Sequence, residues 1–155
     1  METNTIIKIE DSKYFWAKEY PIAYYEMDFK MALKPSALMN FLQDLATKHA
    51  EMLGFGYSFI HPKNYAWFLI KYHMEFDEYP CELNEILIKT EARGVSKILA
   101  FRDFEIWTSD NKKRLGRIVS NWRCKPCREV RDDEKDHRSA QGGCKYAACI
   151  HFFAD

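Results

Sequence analysis

One long amphipathic segment, PSALMNFLQDLATKHAEMLGFG, constrains this chain more than any other stretch. Between Pro35 and Gly56, the residues Leu38, Phe41, Leu42, Leu45, His49, Met52 and Leu53 recur at the three-and-four spacing of an α-helix. Asn40, Gln43, Asp44, Lys48 and Glu51 fill much of the other side. Pro35 and Ser36 suit a first turn, whose N–H groups need no intrahelical acceptor. Gly54 suits the left-handed position that closes a last turn. The pattern predicts one helix over residues 35–53. Burying each large apolar side chain contributes about 1.5–3 kcal/mol. A face this long needs a broad apolar partner, and a curved sheet supplies one.

The rest of the chain supplies strands. Residues 14–26, YFWAKEYPIAYYE, are rich in aromatic and β-branched residues and read as a first strand, with Pro21 at an edge or bulge. In residues 65–79, Ala66, Phe68, Ile70, Tyr72, Met74 and Phe76 alternate with Lys71, His73, Glu75 and Asp77. Phe68, Ile70 and Tyr72 are therefore expected in one core with Phe41, Leu42 and Leu45. Residues 85–93 form a third strand that Gly94 ends. Residues 95–108 are apolar on both faces, which predicts a central strand, and residues 115–122 form a fifth. Short turns join the last four strands and force antiparallel neighbours. The expected layout is α+β, one antiparallel sheet wrapped round one long helix.

Composition excludes several classes. The 23 basic and 23 acidic residues balance, which argues against a nucleic-acid protein. No apolar run is long enough to span a bilayer. The first residues, METNTIIKIEDSK, lack the basic start and apolar block of a signal peptide. Cytoplasm is the expected compartment. His49, on the helix's apolar face, reads as a partly buried histidine bonded to a backbone carbonyl. His73 reads as solvated. Glu26 and Asp28 precede the helix, where acids serve the positive end of its dipole.

The order of these pieces resembles a known family. KEYPIAYYEMDF, LKPSALMNFLQDLATKHAEMLGFG, NYAWFLIKYHMEFDEYP and EARGVSKILAFRDFEIW are similar to the N-terminal half of bacterial and plant acyl-acyl carrier protein thioesterases. These enzymes carry two hot-dog domains in tandem. The resemblance covers about residues 13–122. It implies a single hot-dog domain here, and hydrolysis of the thioester joining a fatty acyl chain to acyl carrier protein in fatty acid biosynthesis. In this family the N-terminal hot dog mainly shapes the acyl pocket, so Phe41, Leu45, His49, Trp67 and Phe68 are expected to line one. Lys71, Arg93, Lys97 and Arg102 form a basic strip that could meet the acidic carrier protein. No cofactor is implied.

The family's catalytic motif, D-x-N-x-H, lies in the second hot dog. The corresponding stretch here is DFKMA: Asp28 matches the aspartate, Lys30 stands for the asparagine and Ala32 for the histidine. Ala32 can do no acid–base work. Asp28 remains a catalytic candidate because some single-domain hot-dog thioesterases use an aspartate in about this place. The alternative is a non-catalytic acyl-binding or dimerising hot dog. Such a lone domain is expected to form a homodimer or to pair with a second hot dog.

After Trp122 the family pattern stops, and residues 123–155 read as an irregular tail with neither D-x-N-x-H nor a second long helix. Truncation and a reading-frame change are the two accounts of this. Four of the five cysteines, Cys124, Cys127, Cys144 and Cys149, lie in the tail. Paired thiolates can hold zinc, with His137 or His151 replacing one of them. The unequal gaps and the missing apolar pattern favour instead a poorly ordered tail with free thiols and no metal.

Overall fold

The computed structural model describes residues 15–96 and 98–126. Its elements are β1 (Phe15–Pro21), α1 (Pro35–Met52), α2 (Tyr57–Ile60), β2 (Tyr65–Phe76), β3 (Glu85–Ser96), β4 (Leu99–Thr108) and β5 (Arg114–Pro126). The strands form one antiparallel sheet in the order β1-β3-β4-β5-β2. β4 is the middle strand, as its two apolar faces require. One long helix on one antiparallel sheet is the single hot-dog α+β domain that the resemblance implies.

α1 starts at Pro35, which needs no acceptor, and ends in a Schellman closure. There Gly54 adopts φ +83°, its N–H reaches Glu51 O at 3.1 Å, and Phe55 N–H reaches Ala50 O at 3.1 Å. The buried face is Ala37, Leu38, Leu42, Leu45, Ala46, His49 and Ala50. Leu42 and Leu45 meet Ile86, Ile88, Phe104, Ile106 and Ile118 of the sheet in one core, and Phe41 packs against its margin. Met52 departs from the expected face and is exposed, because it lies past the point where the helix covers the sheet.

The helix is also pinned by charge. Asp44 accepts hydrogen bonds from Tyr20 Oη at 2.8 Å, Lys18 Nζ at 3.1 Å and Lys48 Nζ at 3.0 Å. Partial burial pushes this carboxyl up, but the bonds from Tyr20, Lys48 and Lys18 outweigh that and hold it below its ordinary value of 3.8. Stability from Asp44 is therefore complete above the unfolded value and is lost as pH falls through the folded one. Asp44→Asn is expected to lower the melting temperature at neutral pH, with the deficit shrinking as the pH falls below the ordinary carboxylate range. Thermal unfolding of both proteins across that range checks it, and a deficit that does not change with pH would contradict it.

Several strand expectations are corrected. β1 ends at Pro21, and Tyr24–Glu26 form a 3-10 turn rather than more strand. Gly94 does not end β3. It adopts φ +104° beside a bulge at Arg93, and the strand runs on to Ser96. β5 continues past Trp122 to Pro126, pairing Arg123 with Phe68 and Cys124 with Trp67.

The largest correction is a second bulge. Leu69 pairs with Trp122 but Lys71 pairs with Asn121, so Ile70 is an extra residue in β2. One extra residue inverts the alternation. Tyr72, Met74 and Phe76 pack on the core as expected, whereas Ile70 is exposed and Phe68 stays outside the core cluster.

Candidate functional site

α1 and the sheet separate toward the helix's C-terminal half and leave a cavity of about 240 Å³. The cause is local. Ala46 and Ala50 face the gap from α1, while Ala66, Ala92, Gly94 and Ala100 face it from the sheet. Larger side chains at these places would fill the space. The two bulges, in β3 beside β4 and in β2 beside β5, lie within one row of each other and bend the sheet at this level. Phe55 of the α1–α2 turn and Tyr57 and Ile60 of α2 close one side, and Trp67 and Trp122 another. Trp67 is held there by its Nε1–H to Phe55 O at 3.0 Å and by an edge contact with the Phe55 ring. The exposed residues Gln43, Thr47 and Tyr57 form the rim, and the buried Ala46, Ala50 and Arg102 the floor.

Arg102 is the polar group of this floor. β4 places it in phase with Phe104 and Ile106, so it points to the helix side and is buried. Its Nη1 donates to His49 Nδ1 at 2.7 Å and to Thr90 Oγ1 at 3.0 Å. Guanidinium only donates, so His49 accepts at Nδ1 and is the neutral tautomer protonated at Nε2. Burial pulls the Arg102 guanidinium down to about 10. Across Ser120 in the same row of the sheet lies Tyr72, whose hydroxyl burial pushes up to about 12. The Tyr72 hydroxyl and Trp16 Nε1 are buried without a hydrogen-bond partner among the described residues.

The residues expected to line an acyl pocket fall in different places. Trp67 lines the cavity. His49 reaches its floor through Arg102. Leu45 is fully buried in the core and does not line it. Phe41 stacks on Tyr20 at 4.8 Å and borders a separate open groove with Ile22, Tyr25 and Asn40. Phe68 lies outside the lining because the Ile70 bulge inverts its side of β2.

The expected basic strip does not form one surface. Arg102 is buried on the helix side, which removes it from any carrier-protein contact. Arg93 pairs with Asp103 at 3.0 Å, and Arg117 pairs with the same carboxylate at 2.8 Å. Lys71 is exposed. Lys97 and the cysteines after Cys124 lie outside the described residues. Among the described residues, no cluster of His, Cys, Asp and Glu could hold a metal ion, and no helix is long and apolar enough to cross a membrane.

Asp28 serves a turn. Its Oδ1 accepts the backbone N–H groups of Lys30 at 2.8 Å and Ala32 at 3.0 Å, closing the loop before α1. The loop's own backbone bonds, Asp28 N–H to Ala32 O and Met31 N–H to Asp28 O, complete it. Asp28 lies beyond the N-terminal end of α1, whereas Ala46 stands about three turns along the helix, roughly 16 Å away from Pro35. The structure does not bring Asp28 to the cavity.

Known proteins agree with this architecture. An acyl-ACP thioesterase from Bacteroides thetaiotaomicron superposes with a TM-score of 0.70 at 23% identity, covering 90% of this chain and 55% of its own. The 12:0-ACP thioesterase from Umbellularia californica superposes at 0.63 and 18% identity, covering 83% and 61%. A DHNA-CoA thioesterase from Staphylococcus aureus superposes at 0.65 and 12% identity, covering 73% and 75%. At these identities the likeness shows the fold. The chain spans 55% and 61% of the lengths of the two acyl-ACP enzymes. No curated protein matches the chain significantly by sequence. The family model for the acyl-ACP thioesterase N-terminal domain matches residues 13–124, and the chain belongs to that family.

Proposed function

We propose that this chain is the acyl-holding hot dog of a fatty acyl-acyl carrier protein thioester hydrolase of fatty acid biosynthesis, working in the cytoplasm on acyl carrier protein as its partner. One observation carries the reading: a mostly apolar cavity between the Ala46–Ala50 face of α1 and the bent sheet, open at Tyr57. An alkyl chain entering it gains about 0.8 kcal/mol for each methylene removed from water.

Hydrolysis needs more than a channel. It requires an activated water and donors for the charge that develops on the thioester oxygen. Among the described residues, the cavity lining contains no carboxylate, thiol or imidazole. Asp28 is occupied by two backbone N–H groups, and its motif partners are Lys30, which is exposed, and Ala32, which has no titratable group. The reading therefore assigns acyl binding to this chain and the water-activating groups to a second hot dog, as partner or tandem neighbour. The same missing base favours, as a second reading, a non-catalytic acyl-binding or dimerising module.

The test is steady-state hydrolysis of medium-chain acyl-acyl carrier protein by the purified chain, beside Asp28→Asn. Little or no turnover above the blank is expected from either protein. Robust turnover abolished by Asp28→Asn would replace this reading with a single-domain, aspartate-dependent thioesterase. Robust turnover unchanged by that substitution would place a base elsewhere in the chain.

A further inference from the structure

The cavity's floor carries a charge that the apolar walls do not explain. Arg102 is 6% exposed, yet both of its hydrogen bonds go to neutral acceptors, His49 Nδ1 and Thr90 Oγ1. Both leave from Nη1, so the Nε and Nη2 donors have no partner among the described residues. No carboxylate among those residues lies within ion-pairing distance of it. A cation largely withdrawn from water without an anion is costly, and buried charges are as a rule paired. The Tyr72 hydroxyl, in the same row of the sheet, is a second buried donor lacking a protein acceptor.

We infer that Arg102 makes the cavity floor a receptor for the carboxylate of a free fatty acid, with the alkyl chain running out past Ala46 and Ala50 toward Tyr57. The inference rests on the acyl-cavity reading and adds to it the class of ligand. A guanidinium offers a planar pair of donors that matches a carboxylate's two oxygens. Low-dielectric walls of alanine, phenylalanine and tryptophan strengthen that pair. A thioester carbonyl or an alcohol would accept a hydrogen bond there but leave the charge unneutralised. The free acid is also what thioester hydrolysis releases, and bound carboxylate-first it would compete with incoming acyl chains.

The experiment compares decanoate with decanol, matched in chain length and different in charge. Each is titrated into the purified chain near pH 8 by calorimetry and by tryptophan fluorescence, since Trp67 and Trp122 line the cavity. Decanoate is expected to bind roughly tenfold tighter or more, as a charged hydrogen-bonded pair implies. Arg102→Met should bring the two to within about twofold while leaving decanol affinity in place. Arg102→Lys, which keeps the charge, should retain a preference for decanoate. Equal affinities in the unsubstituted chain overturn the carboxylate receptor and leave the acyl cavity standing. Binding of neither ligand overturns both. If Arg102→Met does not fold, the ratio in the unsubstituted chain and in Arg102→Lys still decides. A purely structural arginine would lower the melting temperature of Arg102→Met without changing the ratio, and that result also overturns the proposal.

Discussion

Phe104→Ala is expected to destabilise the fold by about 3–5 kcal/mol, the range for removing a buried aromatic ring from a core. Phe104 is fully buried on β4, the strand with neighbours on both sides. Its ring meets Tyr72 edge-on at 6.4 Å and belongs to the cluster that receives Leu42 and Leu45 of the helix. Little can move in to fill the void, because the flanking strands are tied to β4 by ladders on both edges. Denaturant unfolding should show a lower midpoint at an unchanged slope. Tyr24→Ala, at a residue 80% exposed, should stay within about 0.5 kcal/mol and serves as control. A midpoint unmoved by Phe104→Ala would mean that helix and sheet do not share this core.

Ala50→Phe should have the largest effect on binding. Ala50 lines the cavity from α1, and a benzyl group there occupies the space an alkyl chain would take. Decanol affinity is expected to fall at least about tenfold, since two or more methylenes lose their buried contact. Stability should hold or rise, because the ring fills an existing void instead of displacing packed atoms. Fluorescence titration and thermal melting of the same sample check both parts. Unchanged decanol affinity would place the alkyl site elsewhere, with the groove beside Phe41 and Tyr25 as the next candidate.

The helix, the central place of β4 and the antiparallel order are legible from the sequence because each rests on a periodicity that runs uninterrupted. Residues such as Leu38, Leu42 and Leu45 repeat without a break, and Gly54 marks the stop with a conformation other residues rarely take. The Ile70 bulge left no such mark. Phe68, Ile70 and Tyr72 alternate cleanly on paper, and only the partner strand's shorter count, Trp122 followed by Asn121, reveals the extra residue. The same inversion moved Phe68 away from the cavity. At Gly94 the signal was present, since a glycine inside a strand pattern often marks a bulge, and it was read as an end. Arg102 was readable too. It falls in phase with Phe104 and Ile106, but its charge argued for the surface, and no local rule says that a guanidinium will be buried against a histidine. The small lining residues Ala46, Ala50, Ala92 and Ala100 give no signal individually. Their meaning lies in meeting at one place, which only the pairing of distant strands determines.

The two bulges also act as a measuring device. Ile70 and Arg93 interrupt the ladders at the level of the lining residues Ala92, Gly94, Phe101 and Trp122, so the position of these interruptions is expected to govern how deep the cavity runs. Moving such an interruption by one residue would leave Tyr72 paired with Ser120 but set the extra residue between the other kind of hydrogen-bonded pair, so steps of two residues keep the bulge type. Two residues of strand span about 6.6–6.8 Å. Depth in domains of this design should therefore change in coarse ticks of that size when a bulge moves along its strand. Exchanges at alanines 46, 50, 92 and 100 would provide the fine adjustment between ticks.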